Sequence, residues 1–472
     1  MSPYRAAPRR PNILFLFTDD QRHDTIHALG NPEIATPTMD ALARAGTAFT
    51  HAHIMGGSCP AVCMPSRAML MTGRTLFRLE GEGQGVPAEH VLLAEHLRAA
   101  GYATCGIGKW HNGPEAYARA FSAGAEIFFG GMDDHWNVPA CDYDPSGRYA
   151  PLRPVVKDPM RSNAVTHRRC DHIRPGVHSS ELFTDAAVAF LERHDPATPF
   201  FLYVSYMAPH DPRTMPREYL EMYDPEGLPL PPNLAPEHPF DNGELRVRDE
   251  CLAAWPRTPA EIRRHLAEYY AMITHADAQM ARLLDVLRAR GMAEDTIIVL
   301  AGDNGLALGQ HGLMGKQNLY DHSVRVPLVL AGPGIPAGER REALCYLLDI
   351  FPTLCDLVGL ATPGSVEGRS LLPALRDPQE TVREVLLGGY RGVQRSARDA
   401  RYKLIEYSVA GARRTQLFDL AEDPWETRNL AEEPAAAEHV ARLRREMVRW
   451  RDELGDTRPG LGGAFWRGAS DL

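Results

Sequence analysis

Four places in this 472-residue chain end a short apolar run with groups able to do acid–base or metal chemistry: Asp19-Asp20, Lys109-Trp110-His111, His210-Asp211 and Asp303-Asn304. The runs before them, 13–17, 102–107, 200–206 and 296–301, read as strands. In open α/β sheets ligands bind beyond the carboxyl ends of the strands, so these groups are expected on one rim. Asp19, Asp20, Asp303 and Asn304 offer the carboxylate and amide oxygens that a hard cation such as Ca²⁺ or Mg²⁺ requires. Singly, each pair would more often be a turn or a helix cap; it is their joint occurrence that carries weight. A cysteine opens the run Cys63-Met64-Pro65-Ser66-Arg67-Ala68-Met69-Leu70-Met71-Thr72-Gly73-Arg74. A free cysteine before a helix is commonly just a small buried apolar residue.

That run has the pattern Cys-x-Pro-Ser-Arg-x-x-x-x-Thr-Gly-Arg and resembles the active-site signature of the type I, formylglycine-dependent sulfatases of the alkaline phosphatase superfamily. The resemblance implies that a formylglycine-generating enzyme oxidises Cys63 to an aldehyde. One hydroxyl of its hydrate then attacks the sulfur of a sulfate ester, and the second drives release of sulfate by C–O cleavage, a nucleophilic route in two easier steps. It also implies that Asp19, Asp20, Asp303 and Asn304, with the hydrate made from Cys63, hold one divalent ion, calcium first and magnesium as the alternative.

Gly108-Lys109-Trp110-His111-Asn112-Gly113 is similar to the second signature of the same family. By that likeness Lys109 stabilises the hydrate oxygen and the transferred sulfate, and His111 takes the proton that lets the hemiacetal collapse. Ala208-Pro209-His210 resembles the segment whose histidine protonates the leaving group, a task shared by the lysine matching Lys316 in Gly315-Lys316-Gln317-Asn318. Arg67 would bind the hydrate oxygen on the metal side, so that Arg67, Lys109 and Lys316 surround the ester; positioned charge of this kind is usually the largest catalytic contribution. Further landmarks, among them Ser323-Val324-Arg325-Val326-Pro327, Glu367-Gly368-Arg369-Ser370 and Gln416-Leu417-Phe418-Asp419, extend the likeness over nearly the whole chain. One departure is Asn112, where family members often carry leucine. A phosphonate or phosphate ester hydrolase of the same superfamily is the alternative reading, though such enzymes tend to have Asp-His where this chain has Asp303-Asn304.

The elements that must position these groups follow from the alternation of short apolar runs with helical patterns, the rhythm of an α/β domain. A further strand is expected at 327–331, and helices at 89–100, 180–193 and from the capping box Thr258-Pro259-Ala260-Glu261 to Gly291. The segment 207–257, rich in proline, reads as an elaborate loop. Family likeness implies a large mixed, mainly parallel sheet sandwiched by helices. It adds a smaller C-terminal α+β domain bearing a short antiparallel sheet, with residues 1–375 and 376–472 as the two parts.

A hydrophobic fraction of 44% and a charged fraction of 24% are ordinary globular values, and a net charge of −10 argues against a nucleic-acid partner. One basic island interrupts this: Arg148, Arg153, Lys157, Arg161, Arg168, Arg169 and Arg174 against Asp158 and Asp171. It reads as a substrate-facing loop or a solvated surface, and with the long inserted loops it points to a sulfated saccharide or other sulfated small molecule as substrate. His167, Cys170, His172 and His178 match no common zinc spacing. The eight scattered cysteines suggest no disulfide framework, and the short apolar stretch 13–17 behind Arg5, Arg9 and Arg10 is too short for a signal segment. A cytoplasmic protein without a membrane span is the expectation.

Overall fold

The strand Asn12–Thr18 is buried along its whole length, as a strand covered on both faces of a sheet must be. It pairs in parallel with Thr296–Gly302 on one side and Phe200–Ser205 on the other. Ala103–Lys109 and Ala123–Phe128 continue the parallel array beyond Phe200–Ser205. On the opposite side Leu328–Ala331 runs antiparallel to Thr296–Gly302, Gly46–Phe49 antiparallel to that, and Glu339–Arg341 parallel to Gly46–Phe49. The result is an eight-stranded mixed sheet in which Leu328–Ala331 alone opposes the rest. The chain is described by a computed structural model over residues 10–150, 153–156, 160, 162–459 and 461–467.

Alternation along the central strand sorts its side chains between two cores. Ile13, Phe15 and Phe17 pack with the helices Cys63–Thr72, Leu93–Ala99 and Ile350–Leu357. Leu14 and Leu16 face Ser179–Arg193 and the long helix Pro259–Ala289. The Thr258 hydroxyl accepts from the Glu261 N–H at 3.4 Å, and Pro259 takes the first helical position, where its missing N–H costs nothing.

A second, antiparallel sheet is formed by Leu386–Tyr390, Gln394–Arg398, Tyr402–Val409 and Ala412–Asp419, with the helix Ala437–Leu454 packed on it. Its free edge is completed by Gly56–Gly57, which pairs in parallel with Leu386–Tyr390.

The expected helix at 89–100 begins only at Leu93, because the Glu95 carboxylate reaches back to the Leu92 N–H at 3.1 Å and fixes the entry there. The proline-rich 207–257 segment contains three short helical turns, Arg217–Leu220, Pro225–Gly227 and Arg248–Leu252. The basic island folds partly as the hairpin Arg153–Val156 with Val165–Arg168. Lys157, Asp158 and Arg161, like Arg5 and Arg9, lie outside the described residues. Among those described, no helix is long and apolar enough to cross a membrane.

Candidate active site

The four strand ends do meet. Asp19 and Asp20 follow the central strand, Asp303 and Asn304 follow its parallel neighbour, and the Asp20 N–H donates to Asp303 Oδ1 at 3.0 Å. Asp20 takes a left-handed backbone (φ 64°), which turns its carboxylate toward the same point, and its carbonyl is fixed by the Tyr269 hydroxyl at 2.6 Å. Lys109 and His111 arrive from Ala103–Lys109, whose register against Ala123–Phe128 slips between Ile107 and Gly108. Gly108 makes this slip feasible: its φ is 86°, and a Cβ there would lie 2.2 Å from the Ser205 carbonyl oxygen.

Cys63 is the first residue of a helix in which every residue is buried. Its Sγ lies 3.4 Å from His111 Nδ1 and 3.6 Å from Lys109 Nζ. One turn on, Arg67 Nε donates to Asp303 Oδ2 at 2.9 Å and its Nη2 lies 3.6 Å from Asp19 Oδ2. Lys109 donates to Asp19 and to the Gly131 carbonyl, and Lys316 Nζ donates to Asp20 Oδ1 at 2.6 Å. His210 Nε2 stands 3.6 Å from Asp20 Oδ2, while its Nδ1 lies 2.7 Å from the Asp211 carbonyl oxygen. A carbonyl only accepts, so Nδ1 carries a proton and Nε2 is the atom turned to the site.

Burial alone would raise the Asp19 carboxyl, but the charges of Lys109, His210 and Arg67 hold it far below the usual carboxylate range. Asp303 goes the other way, to about 7, through burial and the neighbouring Asp19 charge. Burial pushes the Cys63 thiol up to about 11, so the unmodified cysteine is a neutral, poor nucleophile. It also pushes His111 well below its ordinary value, aided by Lys109 and Arg67, which leaves a neutral imidazole able to accept a proton.

The oxygen donors suit a divalent cation. Asp19 Oδ1 and Asn304 Oδ1 are buried with no hydrogen-bond partner among the described residues, although the Asn304 amide N–H₂ donates to Asp20 at 2.6 Å. Asp19, Cys63 and Asp303 bring their ligand atoms within 4.8 Å of one another, as do Asp19, Asp20 and His210. A cluster of acceptors left unpaired in the interior is costly unless a cation joins it.

Several contacts around these residues were not foreseen. Ser205 Oγ accepts from Arg67 Nη1 at 2.6 Å and the Tyr203 hydroxyl lies 3.4 Å from the same nitrogen, both within a strand that reads as core. Asp211 is clasped by both terminal nitrogens of Arg248, at 2.5 and 2.9 Å, and Asp249 holds Gln317 beside Lys316. Asn112 donates from Nδ2 to the carbonyls of Met64 and Gly83, at 2.9 and 2.6 Å, so it ties the nucleophile helix to the turn Gly81–Gly83 that follows it. Trp110 is core, 2% exposed, with its N–H on the Gly113 carbonyl. The tempting histidines disperse: His172 pairs with Glu126 at 2.7 Å, and His178 caps the helix it precedes.

The family model described as Sulfatase matches residues 11–360. The chain belongs to the sulfatase family. A second model, the C-terminal part of N-sulphoglucosamine sulphohydrolase, matches residues 309–453 of this sulfatase. An ulvan-active sulfatase of Formosa agariphila is 30% identical over 95% of this chain and 82% of its own. Among solved structures, a protein in complex with its substrate D-glucosamine-2-N,6-O-disulfate superposes with TM-score 0.73 at 23% identity, covering 96% of this chain and 99% of that one. The phosphonate monoester hydrolase of Agrobacterium radiobacter superposes with TM-score 0.74 at 24% identity over 94% and 96%. The sulfatase thus has the alkaline-phosphatase-like fold and is a sulfuric ester hydrolase.

Proposed function

We propose that this sulfatase hydrolyses a sulfate monoester on a carbohydrate, using a formylglycine hydrate made from Cys63 by a formylglycine-generating enzyme. A divalent cation, calcium before magnesium, is held by Asp19, Asp20, Asp303 and Asn304. The observation that carries this is the placing of Cys63 Sγ, 3.4 Å from His111 Nδ1 and 3.6 Å from Lys109 Nζ, at the edge of the oxygen cluster. When present, the hydrate supplies the attacking oxygen and the cation offsets charge on the ester.

The chain's own groups do the rest. Arg67, fixed by Asp303 and Ser205, and Lys109, fixed by Asp19, present positive charge in a dry site where it acts strongly. His111, neutral through burial, accepts a proton at Nδ1. Lys316 Nζ, and His210 Nε2 when the ring carries its second proton, face the leaving oxygen, and an alkoxide leaving from a sugar needs such a donor more than a phenolate does. The carbohydrate preference is supported by the ulvan-active relative and the glucosamine disulfate complex.

The test is sulfate release from sulfated sugars, an aryl sulfate and a matched phosphonate monoester by protein co-produced with a formylglycine-generating enzyme. Cys63→Ala protein, which keeps the fold and loses turnover, is the blank. Sulfate released fastest from a sugar is the expected result. Turnover of the phosphonate with negligible sulfate release would make the protein a phosphonate ester hydrolase, and activity in Cys63→Ala would remove the nucleophile assignment.

A further inference from the structure

We infer that Arg169 reads a second anionic group on the substrate, so that the preferred sugar carries another sulfate or a carboxylate besides the ester that is cut. This rests on the active-site reading above and narrows its substrate class. A cavity of about 500 Å³ has Met64, Trp110, His111 and Gly130 in its lining, together with Glu115 and Arg169. It adjoins the nucleophile position directly: His111 is 3.4 Å from Cys63 Sγ, and Gly131, next to Gly130, receives the Lys109 ammonium on its carbonyl. A sugar whose sulfate reaches Cys63 places its ring, or its neighbour, here.

Among the described residues of the basic island, Arg169 is the cation that lines this cavity. Arg168 pairs with Asp133, and Arg174 pairs with Glu126 at 2.9 Å. Arg169 donates Nε to the Tyr149 carbonyl at 2.9 Å, which orients the guanidinium, and pairs with no carboxylate among the described residues. Its two terminal nitrogens match the geometry of a sulfate or a carboxylate, which arginine binds bidentately. Glu115 accepts sugar hydroxyls and repels an anion on its own side, so it restricts where the second charge sits. The other large cavity, about 620 Å³, sets Glu237, Asp241 and Glu244 against Arg246, an unfavourable wall for a polyanion.

The experiment compares wild-type, Arg169→Gln and Arg169→Lys proteins on glucosamine 6-sulfate, glucosamine 2-N,6-disulfate and a sulfated uronate–glucosamine disaccharide. Loss of one charge-assisted pair predicts that Arg169→Gln lowers the kcat/KM ratio of doubly to singly charged sugar by about tenfold or more, mainly through KM, with partial recovery in Arg169→Lys. Whichever doubly charged sugar loses more names the group that Arg169 reads. An unchanged ratio overturns the inference. Calorimetric binding of the same sugars to Cys63→Ala, with and without Arg169→Gln, needs no turnover. If the wild type releases no sulfate, the active-site reading fails, while the binding series still decides Arg169. Absent binding, or equal affinity for singly and doubly charged sugars, overturns it there.

Discussion

Asp19 and Asp303 differ sharply in how their surroundings treat a proton, yet both point oxygens at one spot. Replacing either by Asn keeps the shape and removes charge. Since altering groups that merely orient metal ligands costs about 10–100-fold in affinity, Asp19→Asn and Asp303→Asn should each weaken calcium binding by at least about 100-fold in calorimetry. Asn112 offers a second check. Asn112→Leu strips the Met64 and Gly83 carbonyls of this donor, so thermal melting should report a loss of about 1–3 kcal/mol. Asp19, Asp20, Lys109 and Asp303 stood out in the sequence because each stands where an apolar run stops, whereas Arg67 and Lys316 were read only through family resemblance. Ser205 and Tyr203 were not legible, because inside a buried strand a hydroxyl that anchors Arg67 looks like any other core position.

At the scale of elements, the long helix Pro259–Ala289 and the helix Ser179–Arg193 meet through His275 and His178, whose rings lie 4.6 Å apart. Burial drives both to about 3, and each imidazole lowers or is lowered by the other; Glu181, 3.4 Å from His275, does not restore the charge. The folded protein therefore leaves both neutral where the unfolded chain protonates them, near 6.5. Their contribution to stability is complete above pH 6.5 and is lost as pH falls toward 3, by about 2 kcal/mol per histidine between pH 6.5 and 5. Melting temperature measured across that range should fall with pH, and His275→Phe should flatten the slope. The central strands were readable from sequence because burial on both faces writes an uninterrupted apolar run. The start of the helix at Leu93 was not, since it is set by one carboxylate turning back rather than by periodicity.

For the whole molecule, the second sheet is bound to the first by buried charge. Asp321 receives Lys403 at 2.7 Å and Arg398 at 3.2 Å, and Gly56–Gly57 supplies a strand to the C-terminal sheet. Removing one partner from a buried ionic group leaves the others uncompensated, so Asp321→Ala should cost about 3–5 kcal/mol in denaturant unfolding. A single calorimetric transition is expected for the wild type, because the second sheet takes the Gly56–Gly57 strand and the buried Asp321 carboxylate from the N-terminal part of the chain. Such a bond was invisible in the sequence, where Asp321 and Lys403 are 82 residues apart.

The burial of every residue from Cys63 to Thr72 also dictates a timetable. Under the function proposed above, the enzyme that oxidises Cys63 must reach a side chain that the finished fold leaves 2% exposed. On that proposal maturation would compete with folding, and molecules in which the helix closes first would lack the nucleophile. Cellular activity would then track the outcome of that race more than the amount of protein made.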